Sequence, residues 1–219
     1  MNRLLLILFM LVSAVAFSAC ADPAAKAPKA VVSNEATPAA TFDSTRAEQL
    51  PLLATGSQIA FVGSKVTGTE KGSFQQFSGT IELVDGKPEK SRVTVDIQTG
   101  SVVTDSSGLS DHLKTADFFD VRLFPKASFV SSEIKPSPEG SGSYQVTGVL
   151  DLHGIKKTIT FPAKINVTSD AVSVDSEFAI NRRDFGITFA GKTNDLIRDN
   201  VVLKLAVRAP RGKPVSGSV

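Results

Sequence analysis

The sequence feature that most constrains the fold is a two-residue alternation of apolar and polar side chains, repeated in eight segments after residue 57. Because successive side chains of a β-strand point to opposite faces, this period predicts strands with one apolar and one polar face. Such strands are typical of antiparallel sheets with one face in water. The apolar positions of the eight segments are, in order, Ile59 and Phe61; Phe77, Ile81 and Leu83; Val93, Val95 and Ile97; Ala127 to Ile134; Tyr144, Val146, Leu150 and Leu152; Ile155, Ile159, Phe161, Ile165 and Val167; Val172, Val174, Phe178 and Ile180; and Val201, Leu203, Leu205 and Val207.

Short turn signals separate these segments, among them Asp85-Gly86, His153-Gly154 and Ser169-Asp170. An open sheet of eight strands with one apolar face needs a second layer to cover it, and the sequence offers too little helix to supply one. The sheet is therefore expected to close on itself. We predict an all-β fold, an eight-stranded antiparallel, lipocalin-like barrel with one or two short helical connections. Its interior is either filled by side chains or holds one small ligand.

The connection from Asp111 to Phe129 is rich in aromatic residues for a chain with no Trp and one Tyr. Its aromatic residues are Phe118, Phe119, Phe124 and Phe129. Ser110 is expected to cap a short helix, and Pro125 to end helical structure before an extended segment. The connection is either a hydrophobic plug over the end of the β core or a lid over an apolar cavity. Its composition favours the plug.

The same connection carries a family resemblance, in HLKTADFFDV and the FPKASF that follows. Two further segments match in the same order: LDLHGIKKTITFPA at Leu150 to Ala163, and FAINRRDFGI at Phe178 to Ile187. From about Gln58 to Pro210 the chain resembles the YceI-like family, the polyisoprenoid-binding, lipocalin-like periplasmic proteins. Thr158, where Pro is expected, and Phe189, where Tyr is common, depart from the family pattern. The resemblance implies a ligand with a long polyprenyl chain, such as the tail of an isoprenoid quinone or a precursor of one.

A ligand inside such a barrel is expected to contact inward-facing aromatic side chains and residues at the opening. The predicted ligand-binding residues are Phe61, Phe77, Phe118, Phe119, Phe129, Phe161, Phe178, Arg182 and Phe185. For Arg182 two roles stay open. It forms an ion pair with Asp184 or Asp199, which is the more common role, or it holds a polar headgroup at the opening.

The sequence gives little support to other chemistry. The 24 basic and 22 acidic residues give a formal net charge of +2 and are dispersed, which does not indicate a nucleic-acid partner. His112 and His153 are the only histidines, and no metal-ligand spacing accompanies them. The sequence contains no nucleophile elbow, phosphate-binding loop or candidate cysteine nucleophile. We therefore expect neither an enzyme nor a cofactor-binding protein.

The first part of the chain predicts export and membrane attachment. Residues 1–19 have the basic start, apolar run and small residues of a secretory signal peptide. Ser18-Ala19-Cys20 resembles a bacterial lipobox, so Cys20, the only cysteine, is expected to be acylated; the alternative is an ordinary cleavage that leaves a free thiol. Residues 20–52 are expected to form a lipid-anchored disordered tether, rich in Ala and Pro, with a mean reach of about 30 Å. The barrel domain is expected at residues 53–212 and a disordered tail at residues 213–219.

Together these features predict a periplasmic barrel, lipid-anchored to a membrane of the cell envelope, that sequesters or carries a polyisoprenoid lipid or an isoprenoid quinone. Two alternatives stay open. One is a packed barrel without ligand that acts as an envelope-stress or protein-interaction module, and the other is a hydrolase or isomerase that uses residues at the opening. The sequence also leaves open whether the protein forms a homodimer and which membrane holds it.

Overall fold

The computed structural model describes residues 22–34, 42 and 44–212, and β-strands dominate this part of the chain. The strands are β1 (Val31–Ser33), β2 (Ala47–Pro51), β3 (Gln58–Lys65), β4 (Gly68–Phe74), β5 (Phe77–Val84), β6 (Lys87–Gln98), β7 (Val102–Thr104), β8 (Lys126–Pro136), β9 (Ser143–Leu152), β10 (Ile155–Val167), β11 (Ala171–Asn181), β12 (Gly191–Lys192), β13 (Asp195–Leu196) and β14 (Asn200–Pro210). The helix α1 (Ser107–Leu113) lies between β7 and β8. Short 3-10 helices occupy Pro23–Ala25, Ser44–Arg46, Thr99–Ser101 and Arg182–Phe185.

Twelve strands form one antiparallel sheet that curls strongly into a half-barrel. Hydrogen-bonded neighbours follow the order β2-β5-β6-β8-β9-β10-β11-β14-β3-β4-β7, and β1 pairs with β10. The predicted all-β, antiparallel, barrel-like architecture is confirmed, whereas the number of strands exceeds the predicted eight. Sequence periodicity misses β4 because its segment GTEKGSF has no apolar alternation, although it pairs with β3 along its whole length.

The inward-facing side chains of the paired strands form the main core. Its buried members include Leu50, Ile81, Ile134, Val146, Ile159, Phe161, Ile165, Val172, Phe178, Ile180 and Phe185. Two tight hairpins fix the register of the surrounding strands. Asp85 and His153 both have a φ of 54°, and the glycines that follow them have φ values of 68° and 73°. Two consecutive residues with positive φ match a two-residue hairpin turn, so the turns predicted at Asp85-Gly86 and His153-Gly154 are confirmed.

Within the described residues, the sheet does not close by pairing β3 with β5. At one end the chain before β3 bridges the two sides. The Leu52 N–H donates to the Gly79 carbonyl of β5 (3.0 Å), and the Leu53 N–H donates to the Arg208 carbonyl of β14 (3.2 Å). We call the side of the sheet where β2 and β5 face β14 and β3 without a continuous ladder the seam. The end at which β3, β9 and β11 finish is termed the helix end, and the end at Leu53 the opposite end.

Helix α1 lies at the helix end, with a start that differs from the prediction. Ser106 is the N-cap: its backbone is extended, and its side chain accepts a hydrogen bond from the Leu109 N–H at 3.4 Å. Ser110, the predicted cap, lies inside the helix, where its hydroxyl accepts from the Thr104 N–H at 2.8 Å. A cap must have a non-helical backbone, which a serine within the helix lacks. Pro125 directly precedes β8, as predicted.

The predicted disordered tether at residues 20–52 is wrong at two places. Strand β2 pairs with β5, and residues 22–33, which we call the N-terminal strap, are fixed to the barrel wall. Strands β10 and β11 pair directly only from Lys164 to Val167 on β10, and β1 pairs with β10 farther along, with Val32 opposite Ile159. On its other side the strap bonds to β11, since the Ala30 N–H donates to the Ala179 carbonyl at 2.9 Å.

The physical reason is the separation of β10 from β11, which leaves backbone groups that need partners. Ala and Pro content does not reveal such a demand, because it arises from the rest of the fold. The predicted signal peptide at residues 1–19, the predicted acylation of Cys20 and the predicted tail at residues 213–219 lie outside the described residues.

Candidate functional site

Three phenylalanine side chains form a continuous aromatic belt across the inner face of β8, β10 and β11. The rings of Phe161 and Phe178 stack with centroids 4.2 Å apart and planes inclined by 12°. Phe129 joins them from β8, with its centroid 5.5 Å from that of Phe161. Phe161 is 4 % exposed and Phe178 1 % exposed. Phe161 therefore points inward as predicted, and the belt is packed by its own side chains.

A second aromatic group lies at the helix end, and we call it the mouth cluster. Its members are Phe61, Phe74, Phe118, Phe119 and Phe189. The ring centroids are 5.9 Å apart for Phe61 and Phe74, 5.5 Å for Phe74 and Phe119, and 5.4 Å for Phe118 and Phe189. Leu113 of α1 packs into the same cluster. Phe118 is buried but the other four rings are only half-buried, so aromatic surface stays accessible at this end.

Glycines on neighbouring strands hold two of these rings against the wall. A Cβ atom at Gly72 would lie 2.2 Å from the ring of Phe61, and one at Gly148 would lie 2.5 Å from the ring of Phe129. Both rings therefore cover a glycine of the adjacent strand, an arrangement that shields backbone and pins strand register.

Accessible apolar side chains lie on β6 and β14, the two strands that flank the belt strands on the way to the seam, and we call them the seam residues. They are Val93 and Val95 of β6 and Leu203, Leu205 and Val207 of β14. Directly paired residues share a face of the sheet, and Val95 pairs with Phe129 while Leu203 pairs with Phe178. All five side chains therefore point inward, yet all are only half-buried. These side chains form an accessible apolar strip on each side of the packed belt, and the strip on β14 meets the mouth cluster where Leu203 pairs with Phe61.

Two clefts on the wall are more polar than this strip. One of about 360 Å³ has Lys71 and Asp105 in its lining. The other, of about 410 Å³, has Glu139 and Lys164 in its lining, and Lys204 borders both. Phe61 of the mouth cluster also borders the first cleft, and the seam residue Leu205 borders the second. Charged side chains in both linings make these clefts poor sites for a purely apolar molecule.

Arg182 is buried and braces the backbone at the helix end. Its guanidinium donates to the carbonyls of Ile187 (2.7 Å), Arg198 (3.1 Å) and Ile197 (3.3 Å), and it pairs with the Asp199 carboxylate at 3.3 Å. Burial lowers the pKa of Arg182, while the Asp199 carboxylate opposes that shift. With its donors directed at protein oxygens, Arg182 fits the predicted ion pair with Asp199 better than the headgroup role.

Comparison with known proteins identifies the family of this chain. The model of the YceI-like domain matches residues 51–209. The chain belongs to the YceI-like family. It is 33% identical over 150 residues to a UPF0312 protein of Pseudomonas putida strain W619, covering 64% of this chain and 77% of that protein. A UPF0312 protein of Pseudomonas fluorescens strain SBW25 is 30% identical over 139 residues, covering 61% of this chain and 71% of that protein.

Several solved structures share this fold. Burkholderia cenocepacia BcnA superposes with a TM-score of 0.66 at 26% identity, covering 72% of this chain and 99% of BcnA. A polyisoprenoid-binding domain from Saccharophagus degradans, implicated in plant cell wall breakdown, shares the fold with a TM-score of 0.60 at 18% identity. That match covers 74% of this chain and 98% of the domain. The Campylobacter jejuni YceI protein shares the fold with a TM-score of 0.58 at 24% identity, covering 64% of this chain and 84% of that one.

The YceI-like signature segments converge on the helix end. HLKTADFFDV supplies the end of α1 and two rings of the mouth cluster, and Phe189, where Tyr is common, places its ring 5.2 Å from that of His112. His112 Nε2 lies 2.7 Å from an Asp117 carboxylate oxygen, and the His153 ring packs 4.5 Å from Phe124 in its turn. Among residues 22–34, 42 and 44–212, no group of three or more His, Cys, Asp or Glu side chains is placed to hold a metal ion.

The structure brings most of the predicted ligand-binding residues into two groups. Phe129, Phe161 and Phe178 form the belt, and Phe61, Phe118 and Phe119 belong to the mouth cluster. Phe185 is fully buried in the main core, and Phe77 lies outside the three buried clusters of the described residues.

The residues predicted from the sequence do not include Phe74 and Phe189 of the mouth cluster or any of the five seam residues, all of which keep accessible apolar surface. The seam residues were visible as apolar positions of alternating segments, but nothing in the pattern separates a packed inward side chain from an accessible one.

In the part of the chain that the structure describes, no helix has both the length and the apolar character needed to cross a membrane.

Proposed function

We propose that this YceI-like protein binds one long apolar molecule of the polyisoprenoid class along the seam, with the mouth cluster as its entrance. The observation that carries the proposal is the strip of inward-facing but accessible seam residues. Accessible apolar surface of this kind inside a fold is the usual lining of a lipid site. The polyisoprenoid class is supported by the domain from Saccharophagus degradans that shares the fold.

The energetics suit a slender apolar chain. Each isoprene unit has five carbons, so full burial contributes roughly 4 kcal/mol gross at about 0.8 kcal/mol per carbon. The ordering of a flexible chain and the loss of free motion offset most of that gain, so the net affinity is far smaller. Because the seam residues offer branched aliphatic contacts and the mouth cluster offers aromatic ones, selectivity comes from the length and width of the site. No bond is made or broken, and the chemistry is sequestration or carriage in the periplasm.

Membrane attachment belongs to the same proposal. Acylation of Cys20 is supported by its position directly after a small-residue signal-peptide end. Metabolic labelling with palmitate is expected to mark the wild-type protein and to leave Cys20→Ser unlabelled. Equal labelling of the two proteins, or labelling of neither, contradicts acylation at this position.

Two adjacent residues allow a matched test of the ligand site. Leu205 points inward at the seam, Lys204 points outward on the same strand, and the chain contains no tryptophan. Leu205→Trp and Lys204→Trp therefore each carry a single fluorophore, one on each face of β14. Titration with a polyprenyl quinone, whose ring quenches indole fluorescence, is expected to quench Leu205→Trp saturably and to leave Lys204→Trp nearly unchanged.

Mass spectrometry of an organic extract from the purified wild-type protein complements the titration and identifies the natural ligand. An extract without lipid, together with equal responses of the two tryptophan variants, would contradict the binding function. That result would favour the packed interaction module, for which the dense aromatic belt is the supporting observation.

A further inference from the structure

The first described residues of the chain are fixed to the helix end of the barrel. Asp22 accepts hydrogen bonds from the Ala24 N–H (3.0 Å) and from the buried Ser64 hydroxyl near the end of β3 (3.3 Å). The Arg198 guanidinium lies 3.8 Å from the other carboxylate oxygen of Asp22. These contacts hold residue 22 beside the β3–β4 turn.

Packing of the strap against the outer wall reinforces this position. Ala24 is 1 % exposed and packs with Val62, Ala179 and Val202. Each of these three residues neighbours an inward-facing residue of its strand, so they form an apolar patch on the outer face. The strap continues into the hydrogen bonds of Ala30 and β1 with the wall. From residue 22 to residue 33 the strap is therefore part of the folded domain.

The position of Asp22 limits where the proposed membrane anchor at Cys20 can lie. Cys20 precedes Asp22 by two residues, and two extended residues span at most about 7 Å. An acylated Cys20 therefore starts its acyl chains beside the β3–β4 turn, in contrast to the reach of about 30 Å expected for a flexible tether. The distance between the bilayer surface and this end of the barrel is set by a very short link.

The same end presents apolar side chains to solvent. Val66, in the β3–β4 turn, is 58% exposed, and Leu196, in β13, is 50% exposed. They are neighbours, because the Val66 N–H donates to the Leu196 carbonyl at 3.2 Å. Leu123, in the connection before β8, and Ile155, the first residue of β10, are further exposed apolar residues at this end, whereas Leu53 is exposed at the opposite end.

We propose that the helix end is the membrane-facing surface of the protein, with Val66 and Leu196 immersed in the lipid headgroup layer beside the anchor. The inference rests on the proposed acylation of Cys20, and it adds an orientation to the proposed function. Apolar side chains next to a lipid anchor supply the second membrane contact that a single attachment lacks. The mouth cluster lies at the same end, so the apolar ligand passes between the bilayer and the seam without crossing water.

Single tryptophans report the orientation. Full-length Val66→Trp and Leu53→Trp are each expressed in bacteria, purified from the membrane fraction and reconstituted into phosphatidylethanolamine–phosphatidylglycerol vesicles that contain brominated lipid, a short-range quencher. The strands that separate the two ends place Leu53 roughly 25 Å farther from the bilayer. Val66→Trp is expected to be strongly quenched and blue-shifted, and Leu53→Trp to match its emission in vesicles without bromine.

A pair of neighbouring substitutions tests the role of the strap. Ala24→Glu places a charge in the buried patch, whereas Ala25→Glu makes the same change at an exposed position. In the Val66→Trp background, Ala24→Glu is expected to release the strap and to lose most of the quenching, while Ala25→Glu retains it. Circular dichroism checks that both variants keep the β-sheet fold.

The mass of the N-terminal peptide distinguishes failure of the proposed orientation from failure of the proposed acylation. If Cys20 is acylated but Val66→Trp and Leu53→Trp are quenched equally, or not at all, the orientation is wrong and the anchor stands. If Cys20 carries no acyl group, the anchor is wrong and the orientation falls with it. Ligand binding, measured separately with Leu205→Trp, is independent of both outcomes.

Discussion

The belt side and the seam side of the half-barrel carry the same kind of inward side chain but bury it to different extents. Phe161 and Phe178 are stacked and almost completely enclosed, whereas Val95 and Leu205 keep accessible surface. Continuous pairing from β8 to β11, with β1 inserted, brings the belt side chains together, but no ladder joins β3 to β5 within the described residues. In a curled sheet, enclosure thus depends on where the sheet closes as well as on the sequence pattern.

The largest loss of stability is expected from a substitution in the belt. Phe161→Ala removes a ring that stacks on Phe178 in a packed environment and leaves a cavity. We expect the free energy of unfolding to fall by about 3–5 kcal/mol, measured by denaturant unfolding of delipidated protein. A loss below about 1 kcal/mol would mean that the belt is as open as the seam, and the contrast between the two sides would disappear.

A charge in the strap is expected to open the belt side. Val32 packs on the main core between β10 and β11, so Val32→Asp is expected to displace β1 and to cost about 2–3 kcal/mol. Amide hydrogen exchange is expected to accelerate at residues 158–160. Val31→Asp is the control, because Val31 is exposed and its substitution should change stability by less than about 0.5 kcal/mol. Equal effects of the two substitutions would show that β1 is not part of the barrel wall.

Truncation of a seam residue tests whether the seam side is less densely packed than the belt side. Leu205→Ala removes a half-buried side chain, so the delipidated protein is expected to lose only about 1–2 kcal/mol. Its main defect should be a smaller stabilisation by added polyprenyl lipid, since a ligand stabilises in proportion to its affinity. The measurement is unfolding with and without lipid, beside Phe161→Ala. A seam variant that loses as much stability as the belt variant, with no change in lipid response, would indicate a filled seam.

The smallest expected effect concerns the outer face of the seam side. Burial alone would raise the pKa of Glu82, but hydrogen bonds from Arg92 and Gln49 lower it below its ordinary value. A lowered folded-state pKa stabilises the protein above the unfolded pKa of about 4.3 and ceases to do so as the pH falls through the folded value. Glu82→Gln is expected to be less stable than wild type by at most about 1 kcal/mol at neutral pH. Unfolding measured from pH 7 down to pH 3 should show this gap close, whereas a constant gap would assign it to lost packing.

Sequence alone predicted the alternating strands, two hairpin turns and the inward direction of Phe161, because each is fixed by local side-chain period or turn chemistry. It missed β4, whose polar and glycine-rich residues show no period, and β1, whose place depends on the separation of β10 from β11. The outward apolar residues Val62, Ala179 and Val202 were a detectable signal of a covering segment, since they interrupt the polar face. The solvent accessibility of the seam residues could not be predicted from the sequence, because it depends on how the sheet closes in three dimensions.

The position of β1 would also determine the order of folding in the proposed secretion. In that export, β1 would emerge before the other described strands, whereas its partner on β10 and the Ala179 backbone would emerge much later. Contacts between residues so distant in the chain form slowly, because a long loop must close before they are made. We expect a late intermediate in which β10 and β11 have unpaired edges, and such edges bind other chains readily. An anchor at residue 20 would meanwhile hold β1 near the membrane, so completion of the wall and docking of the barrel on the bilayer would be the same step.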